Sequence, residues 1–541
     1  MDSVEPTIPR LVRSAAQHFG DRTAIEEGDL VLSFAELSEA GTRAARAFCA
    51  AGIEAGDRVA IWAPNIHEWV VAAIGLQSAG GVLVPLNTRL KGSEAGYVLE
   101  KSGARILCTV AGFLDTDYVA LLRGALGGAG SAHPIADLPR LDRIILLRGA
   151  GEGREALVGI ASWSDFLAEG EAVAPEEAQR RAEGVSPDDL SDILFTSGTT
   201  GKPKGVMTTH GQNLRCFEAW SEIVGLREGD RYLIVNPFFH SFGYKAGWLS
   251  AIMRGATILP HPVFDVPAVL ERVGKERVSV LPGPPTLYQS ILAHPERESF
   301  DLSCLRLAVT GAAAIPVELI HRMRRDLGFE TIITGYGLTE SSGVVSMCRE
   351  DDPAETIART SGRAIPDVEV LCVDKEGKQV PRGEPGEVVV RGYNVMRGYF
   401  EDASETAKAI DSEGWLHTGD IAVMDERGYL RITDRIKDMF IVGGFNCYPA
   451  EIENLMHSWE DIQQVAVIGV ADERMGEVGM AFVVPAPRAS LTSDSVIAWC
   501  REKMANYKVP RRVEIVDSLP MNAMGKVTKF VLRERVLAEK S

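Results

Sequence analysis

Residues 194–205 read Leu194-Phe195-Thr196-Ser197-Gly198-Thr199-Thr200-Gly201-Lys202-Pro203-Lys204-Gly205. Hydroxyl side chains, glycines and two lysines are crowded behind a short apolar run. Glycines let a backbone approach an anion and adopt positive φ. Successive N–H groups and Ser/Thr hydroxyls can then converge on phosphate oxygens, and lysines add charge. The segment predicts a phosphate-wrapping loop between strands. It is not a Walker A loop, because the spacing G-x4-G-K-[ST] does not fit it.

The rest of the composition bounds what such a loop can serve. A chain of 541 residues exceeds one ordinary core and predicts two or more domains. With 45% apolar and 24% charged residues it has the balance of a globular protein. A formal net charge of −18 argues against general nucleic-acid binding, though not against a local basic site. The eight cysteines, at 49, 108, 216, 304, 348, 372, 447 and 500, form no CxxC pair and no zinc spacing, and read as reduced cytoplasmic thiols. The opening Met-Asp-Ser-Val-Glu-Pro has no basic or apolar leader pattern, so no signal peptide is expected. No apolar run is long enough to span a bilayer.

Along the chain, residues 31–52 show helical periodicity, with Phe34, Leu37, Ala45 and Phe48 near one face. Strands are predicted at 58–62, 81–86, 105–110, 141–147, 192–195, 231–236, 256–259, 278–281 and 305–310, with helices between several of them. That rhythm predicts α/β sheets, largely parallel and covered on both faces. From about 365 the texture changes to strands separated by Gly/Asp turns, a β subdomain. Near 435–440 a compact α+β segment begins.

Several further strings carry chemistry. Thr310-Gly311-Ala312-Ala313-Ala314 ends a strand with small residues. Gly335-Tyr336-Gly337-Leu338-Thr339-Glu340 brings a carboxylate that suits Mg²⁺. Gly414-Trp415-Leu416-His417-Thr418-Gly419-Asp420 is followed by Asp434-Arg435-Ile436-Lys437-Asp438. Ile441-Val442-Gly443-Gly444-Phe445-Asn446-Cys447-Tyr448-Pro449 and Pro520-Met521-Asn522-Ala523-Met524-Gly525-Lys526 complete the set. Taken singly, each has a bland reading as a turn, a packed β-turn or a surface charge.

In this order and across essentially the whole chain, the strings resemble the motifs of the adenylate-forming enzymes, which include acyl- and aryl-CoA synthetases, luciferases and peptide-synthetase adenylation domains. The resemblance implies a large N-terminal domain, residues 1–434, of two α/β sheet subdomains plus a β subdomain. A hinge at 435–438 and a small mobile α+β C-terminal domain, 439–541, follow. It implies ATP, Mg²⁺ and CoA as cofactors. The nucleotide would be held by Thr196, Ser197, Gly198, Thr199, Thr200, Gly201, Lys202 and Lys204. Gly311, Ala312 and Ala313 would face adenine, with Gly335, Tyr336 and Gly337 closing over it. Asp420 would hold the ribose, Arg435 a ribose or phosphate, and Glu340 with Thr196 the metal. Lys437 would be the hinge residue. Gly443, Gly444 and Phe445 would line the pantetheine path; relatives often carry Glu and Ile where this chain has Phe445 and Cys447. Lys526, His240, Glu340 and Thr339 are the implied catalytic set, Lys526 reaching the carboxylate and α-phosphate during adenylation.

For the acid, 236–248 and 280–286 should wall the pocket, with Phe238, His240, Tyr244, Lys245, Trp248, Gly283 and Pro284 named as its lining. An apolar, aromatic wall suits a bulky hydrophobic acid. Lys245 is the odd residue: it either pairs with an acid or meets a polar group of the substrate or CoA. The strings NPFFHSFGYKAG, VLPGPPT and KDMFIVGGFNCYPAE are similar to a bacterial subgroup of CoA ligases acting on the indane propanoate left by steroid ring degradation. The expectation is an ATP-dependent acid–CoA ligase on such an acid. The alternatives are a medium- or long-chain fatty acyl-CoA synthetase, acyl transfer to a carrier protein, and a silent nucleotide-binding protein. The implied partners are a small carboxylic acid and CoA, with no nucleic acid and no membrane insertion; a homodimer is compatible with the reading.

Overall fold

Val59, Ala60, Ile61 and Trp62 are all buried, and the strand they form, Arg58–Trp62, lies inside an eight-stranded sheet. An unbroken apolar run of this kind belongs to a strand covered on both faces. In this computed structural model the described residues are 5–127, 134–149, 159–196, 202–311, 315–374, 376–435, 440–447, 449–520, 527 and 529–538, without the side chains of 433–435, 446, 450, 454 and 530. From one edge the sheet runs Gly398–Tyr399, Lys204–Thr209, Leu190–Thr196, Val82–Pro85, Arg58–Trp62, Ile106–Val110, Arg143–Arg148, Ile160–Ser162. The strands from 190–196 to 160–162 pair in parallel. Strands 190–196 and 204–209 form an antiparallel pair that ends at Thr196 opposite Lys204. The predicted phosphate loop therefore lies in the chain between two paired strands.

The second α/β unit pairs Arg231–Ile234, Thr257–Pro260, Thr23–Glu27 and Leu30–Ser33, and beside it Leu307–Gly311, Thr331–Tyr336, Ser346–Met347 and Arg363–Ala364. The strand expected at 278–281 is reduced to one residue, Val280, which bridges Tyr232 and Leu307. Proline at 282, 284 and 285 removes the N–H groups a longer ladder needs. Leu281 and Gly283 still donate to the carbonyls of Leu307 and Val309, which carries this segment to the end of strand 307–311.

The helix read at 31–52 spans Phe34–Ala50, and Ser33 and Glu36 close a capping box at its start. Phe34, Leu37, Ala45 and Phe48 are all buried. An antiparallel sheet of Val368–Val373, Pro385–Gly392, Leu416–Met424 and Leu430–Arg435 forms the β subdomain. The hydrophobic core of all this runs from Ile8 to Leu430. Separate apolar clusters begin at Phe440. They lie on the two faces of a five-stranded sheet that joins the hairpin of Phe440–Val442 and Phe445–Cys447 to Ile462–Asp472, Gly476–Pro485 and Arg512–Ile515. Among the described residues no helix is long and apolar enough to cross a membrane.

Candidate active site

A cavity of about 1200 Å³ opens where strand ends 307–311 and 331–336, the 235–246 segment and the 440–447 hairpin converge. Gly311, Gly335, Tyr336, Gly337, Thr339 and Glu340 line it. The glycines have a packing reason to be there. A Cβ on Gly311 would come within 2.7 Å of the Gly335 carbonyl, so paired strands at this end approach too closely for any side chain. Tyr336 donates its hydroxyl to Asp420 Oδ2 at 2.6 Å, which brings the 335–340 loop and the 414–420 string to one place. Asp420 is buried and stands opposite Arg435 across strands 416–424 and 430–435. Glu340 Oε1 accepts from the Tyr399 hydroxyl at 2.9 Å, and its carbonyl accepts from Met396 N–H.

The lysines beside the phosphate loop do not face this cavity. Lys204 pairs with Glu405 and lies 5.0 Å from the centre of the Tyr399 ring. Lys202 sits over Tyr97 at 5.9 Å. Both line a separate depression of about 920 Å³. The Lys204 ammonium, with burial opposing and Lys408 assisting, holds the Glu405 carboxyl down at about 2. In this arrangement a nearby carboxylate, Glu405, holds the charge of Lys204. Ser197, Gly198, Thr199, Thr200, Gly201, Ala312, Ala313, Lys437 and Lys526 lie outside the described residues.

The acid pocket also departs from expectation. His240, Gly283 and Pro284 line the cavity, but Phe238, Tyr244, Lys245 and Trp248 do not. Tyr244, Lys245 and Trp248 lie on a π-helical turn, Tyr244–Leu249, and point into the core. Phe238 and Trp248 pack against Trp69, and the Tyr244 hydroxyl accepts from Gln77 Nε2 at 2.8 Å. Lys245 is fully buried. Its ammonium is 3.1 Å from Asp192 Oδ1 and donates to Thr208 Oγ1 at 2.9 Å. Asp192 also accepts from Ser191, Thr208 and Asn213 at 2.6–2.7 Å. The ion pair therefore joins the π-helical turn to the hairpin that carries the phosphate loop. In this arrangement Lys245 has an acid partner, Asp192, inside the core.

His240 is exposed to the cavity, and the protein packed around that opening disfavours its charged form. Burial first, and the Lys245 charge next, lower its pKa to about 4. Nδ1 accepts from Phe242 N–H at 3.2 Å, so the neutral ring carries its proton on Nε2. Trp220 and Leu287, not named from sequence, complete the wall together with Asn236 and Thr310. Thr310 is buried, and among the described residues its hydroxyl has no hydrogen-bond partner. Its place at a strand end before small residues was visible in sequence; the free hydroxyl was not.

The C-terminal body contributes directly. Gly443 and Gly444, with φ of 55° and 87°, form the two-residue turn between strands 440–442 and 445–447. Such a turn needs positive φ at both positions, which explains the glycine pair as backbone chemistry. Ile441, Gly443, Gly444 and Phe445 line the cavity. A Cβ on Gly444 would lie 3.8 Å from Pro284 of the acid pocket wall. Arg89 sits 5.5 Å from the Phe445 ring, whose other contact is the stacked Tyr507 at 4.7 Å.

Two α/β sheet units, a β subdomain and a smaller body that places a glycine turn against a shared cavity form the architecture of an adenylate-forming enzyme. The chain belongs to the AMP-binding enzyme family: residues 12–400 match the model of the AMP-binding enzymes and 451–526 that of the AMP-binding enzyme C-terminal domain. Over 528 residues, 98% of each chain, it is 49% identical to the 7a-methyl-1,5-dioxo-octahydro-1H-inden-4-yl propanoyl:CoA ligase of Rhodococcus jostii, and 46% identical to the ligase of the same name from Mycobacterium tuberculosis. Among solved structures, o-succinylbenzoate CoA synthetase of Bacillus subtilis with a product analogue superposes with a TM-score of 0.80 at 28% identity, covering 97% of this chain and 98% of that one. A fatty acyl CoA synthetase of Mycobacterium tuberculosis gives 0.70 at 30% identity, covering 99% of each.

Proposed function

We propose that this AMP-forming acid–thiol ligase converts a propanoate carried on a methyl-dioxo-octahydroindene bicycle into its CoA thioester. The carboxylate attacks the α-phosphorus of ATP and pyrophosphate leaves. The CoA thiol then attacks the acyl carbon of the acyl-adenylate and AMP leaves. The observation that carries the substrate class is near-half identity, over the full length, to two ligases named for that acid. The wall around His240, Trp220, Leu287 and Pro284 supports it with bulk and apolar surface. The Thr310 hydroxyl, without a partner among the described residues, would supply a polar handle at the cavity wall. The likeness to a fatty acyl CoA synthetase is more distant.

In this reading Tyr336 and Asp420 hold the nucleotide sugar, and the described glycines of the 311 and 335–337 strand ends admit the base. Glu340 suits Mg²⁺: it lines the cavity, and a carboxylate with one oxygen bonded to Tyr399 retains acceptor capacity. The metal would neutralise charge on the phosphates during adenylation. Lys526 and Arg435 would stabilise the transferring phosphoryl group by position and charge. A hinge at 435–438 would let the C-terminal body present Lys526 in one step and the Gly443–Gly444 turn in the other. The eight free cysteines suit a reducing cytoplasm.

The test is a pyrophosphate-release panel with and without CoA, with product masses. The bicyclic propanoate should exceed octanoate and palmitate in kcat/KM and give a thioester. A preference for the alkanoates would move the assignment to a fatty acyl-CoA synthetase. A thioester formed only on a carrier protein would move it to acyl transfer.

A further inference from the structure

Lys508 is a buried cation shared between the two bodies. It is 4% exposed, and its ammonium lies 2.6 Å from Glu94 Oε1 and 2.7 Å from Glu451 Oε1. Glu94 belongs to the first turn of helix Gly92–Ser102 in the large body, and its other oxygen accepts Lys91 N–H at 2.8 Å. Glu451 lies in the first turn of helix Pro449–His457, which follows the glycine hairpin of the small body. Burial alone would lower the Lys508 pKa, but Tyr507, Glu451 and Glu94 raise it well above the usual lysine value.

The neighbours of Lys508 lead to the cavity. Asn87 Nδ2 donates to the Tyr507 hydroxyl at 3.3 Å, a second polar tie between the bodies. Tyr507 stacks on Phe445, and its carbonyl accepts from Cys447 Sγ at 3.3 Å. Arg89 and Lys91, which flank this tie on the large body, line the cavity. The Lys508–Glu94 contact thus exists in the arrangement that sets Gly443 and Gly444 against the cavity. Any rotation of the small body parts Glu94 from Lys508, while Glu451 travels with the lysine.

We propose that Lys508 and Glu94 are positioning residues for the second half-reaction: their buried ion pair holds the glycine turn at the cavity while the CoA thiol attacks. The inference rests on the CoA-ligase reading. A lysine with one carboxylate on its own body and one across the interface stays paired after rotation. The cross-body bond therefore biases the arrangement without stranding an unpaired buried amine in the other state.

The test measures each half-reaction of the full-length enzyme in single turnover. Adenylation is read as pyrophosphate release without CoA; thioester formation is read from preformed acyl-adenylate mixed with CoA. Glu94→Gln removes the cross-body charge and leaves Glu451. The second step should slow by about tenfold or more, the range expected for one charge-assisted bond. Adenylation should be unchanged or faster, and Glu94→Asp should recover part of the loss. Lys508→Met is the second variant, with its melting curve as control. A normal second step in Glu94→Gln, or equal slowing of both steps, overturns the latch. A wild type that makes acyl-adenylate but no CoA thioester overturns the ligase reading and the latch with it.

Discussion

Replacing Lys245 by Met separates a structural lysine from a substrate-binding one. Met keeps the length and apolar volume, so the principal loss is charge. The ammonium and Asp192 are both fully buried and 3.1 Å apart. At an effective dielectric constant of about 20 their attraction is roughly 5 kcal/mol, part of which offsets desolvation. Breaking one side of such a pair typically costs about 3–5 kcal/mol. Asp192 keeps three donors, from Ser191, Thr208 and Asn213, so the low end, about 3 kcal/mol, is expected. With an unfolding entropy of about 2.1 cal/mol/K per residue over a body of roughly 430 residues, that lowers its midpoint by about 3–4 °C. The double variant Lys245→Met/Asp192→Asn should recover most of the loss, because no buried charge is left unpaired. Thermal or urea unfolding of the four proteins gives the coupling energy. In the same proteins kcat/KM for the bicyclic propanoate and for octanoate should change by the same factor. An unshifted midpoint with a selective tenfold loss on the bicyclic acid would refute this reasoning and return Lys245 to the substrate.

Thr310→Val removes a hydroxyl that has no partner among the described residues, without changing shape; kcat/KM for the diketo acid should fall about tenfold, and for octanoate by less than twofold, in a competition assay. Gly444→Val forces a β-branched residue into φ of 87°, so thioester formation from preformed acyl-adenylate should drop sharply while pyrophosphate release persists. Lys526→Ala should do the reverse, slowing adenylation on the order of a hundredfold and sparing the second step, as separate half-reaction rates will show. Burial, with Asp192 and Asp189 opposing, lowers the buried His210 to about 4. The unfolded chain therefore binds a proton that the fold refuses, and this stability is complete above about pH 6.5 and drains as pH falls toward 4. The slope is at most about 1.4 kcal/mol per pH unit. Urea unfolding at pH 5 and 7 should show a smaller difference in His210→Gln than in the wild type.

What the sequence made legible follows from what each physical signal constrains. Continuous apolar runs such as 58–62 and the alternation around them determine buried parallel strands, because burial on both faces requires them. Segment 278–281 has the same composition, but the prolines after it cut its ladder to a single bridge. Backbone-driven site residues were legible for a related reason. Gly311 and the Gly443–Gly444 pair answer to close approach and positive φ, which are local demands. Side-chain destinations were not, because they depend on which face of an element meets the cavity. In segment 236–248, His240 reaches the cavity and Phe238 packs on Trp69, while Tyr244, Lys245 and Trp248 turn away on a π-helical turn that no ordinary periodicity announces. Lys204 shows the same limit, since its partner Glu405 lies 201 residues along the chain. Lys508 is the strongest instance. Alone it is one lysine among many, and its meaning depends on Glu94, 414 residues away on the other body, and on Glu451, on its own. The chemistry of the site is thus written in local strings, whereas its specificity and its timing rest on long-range charge pairs.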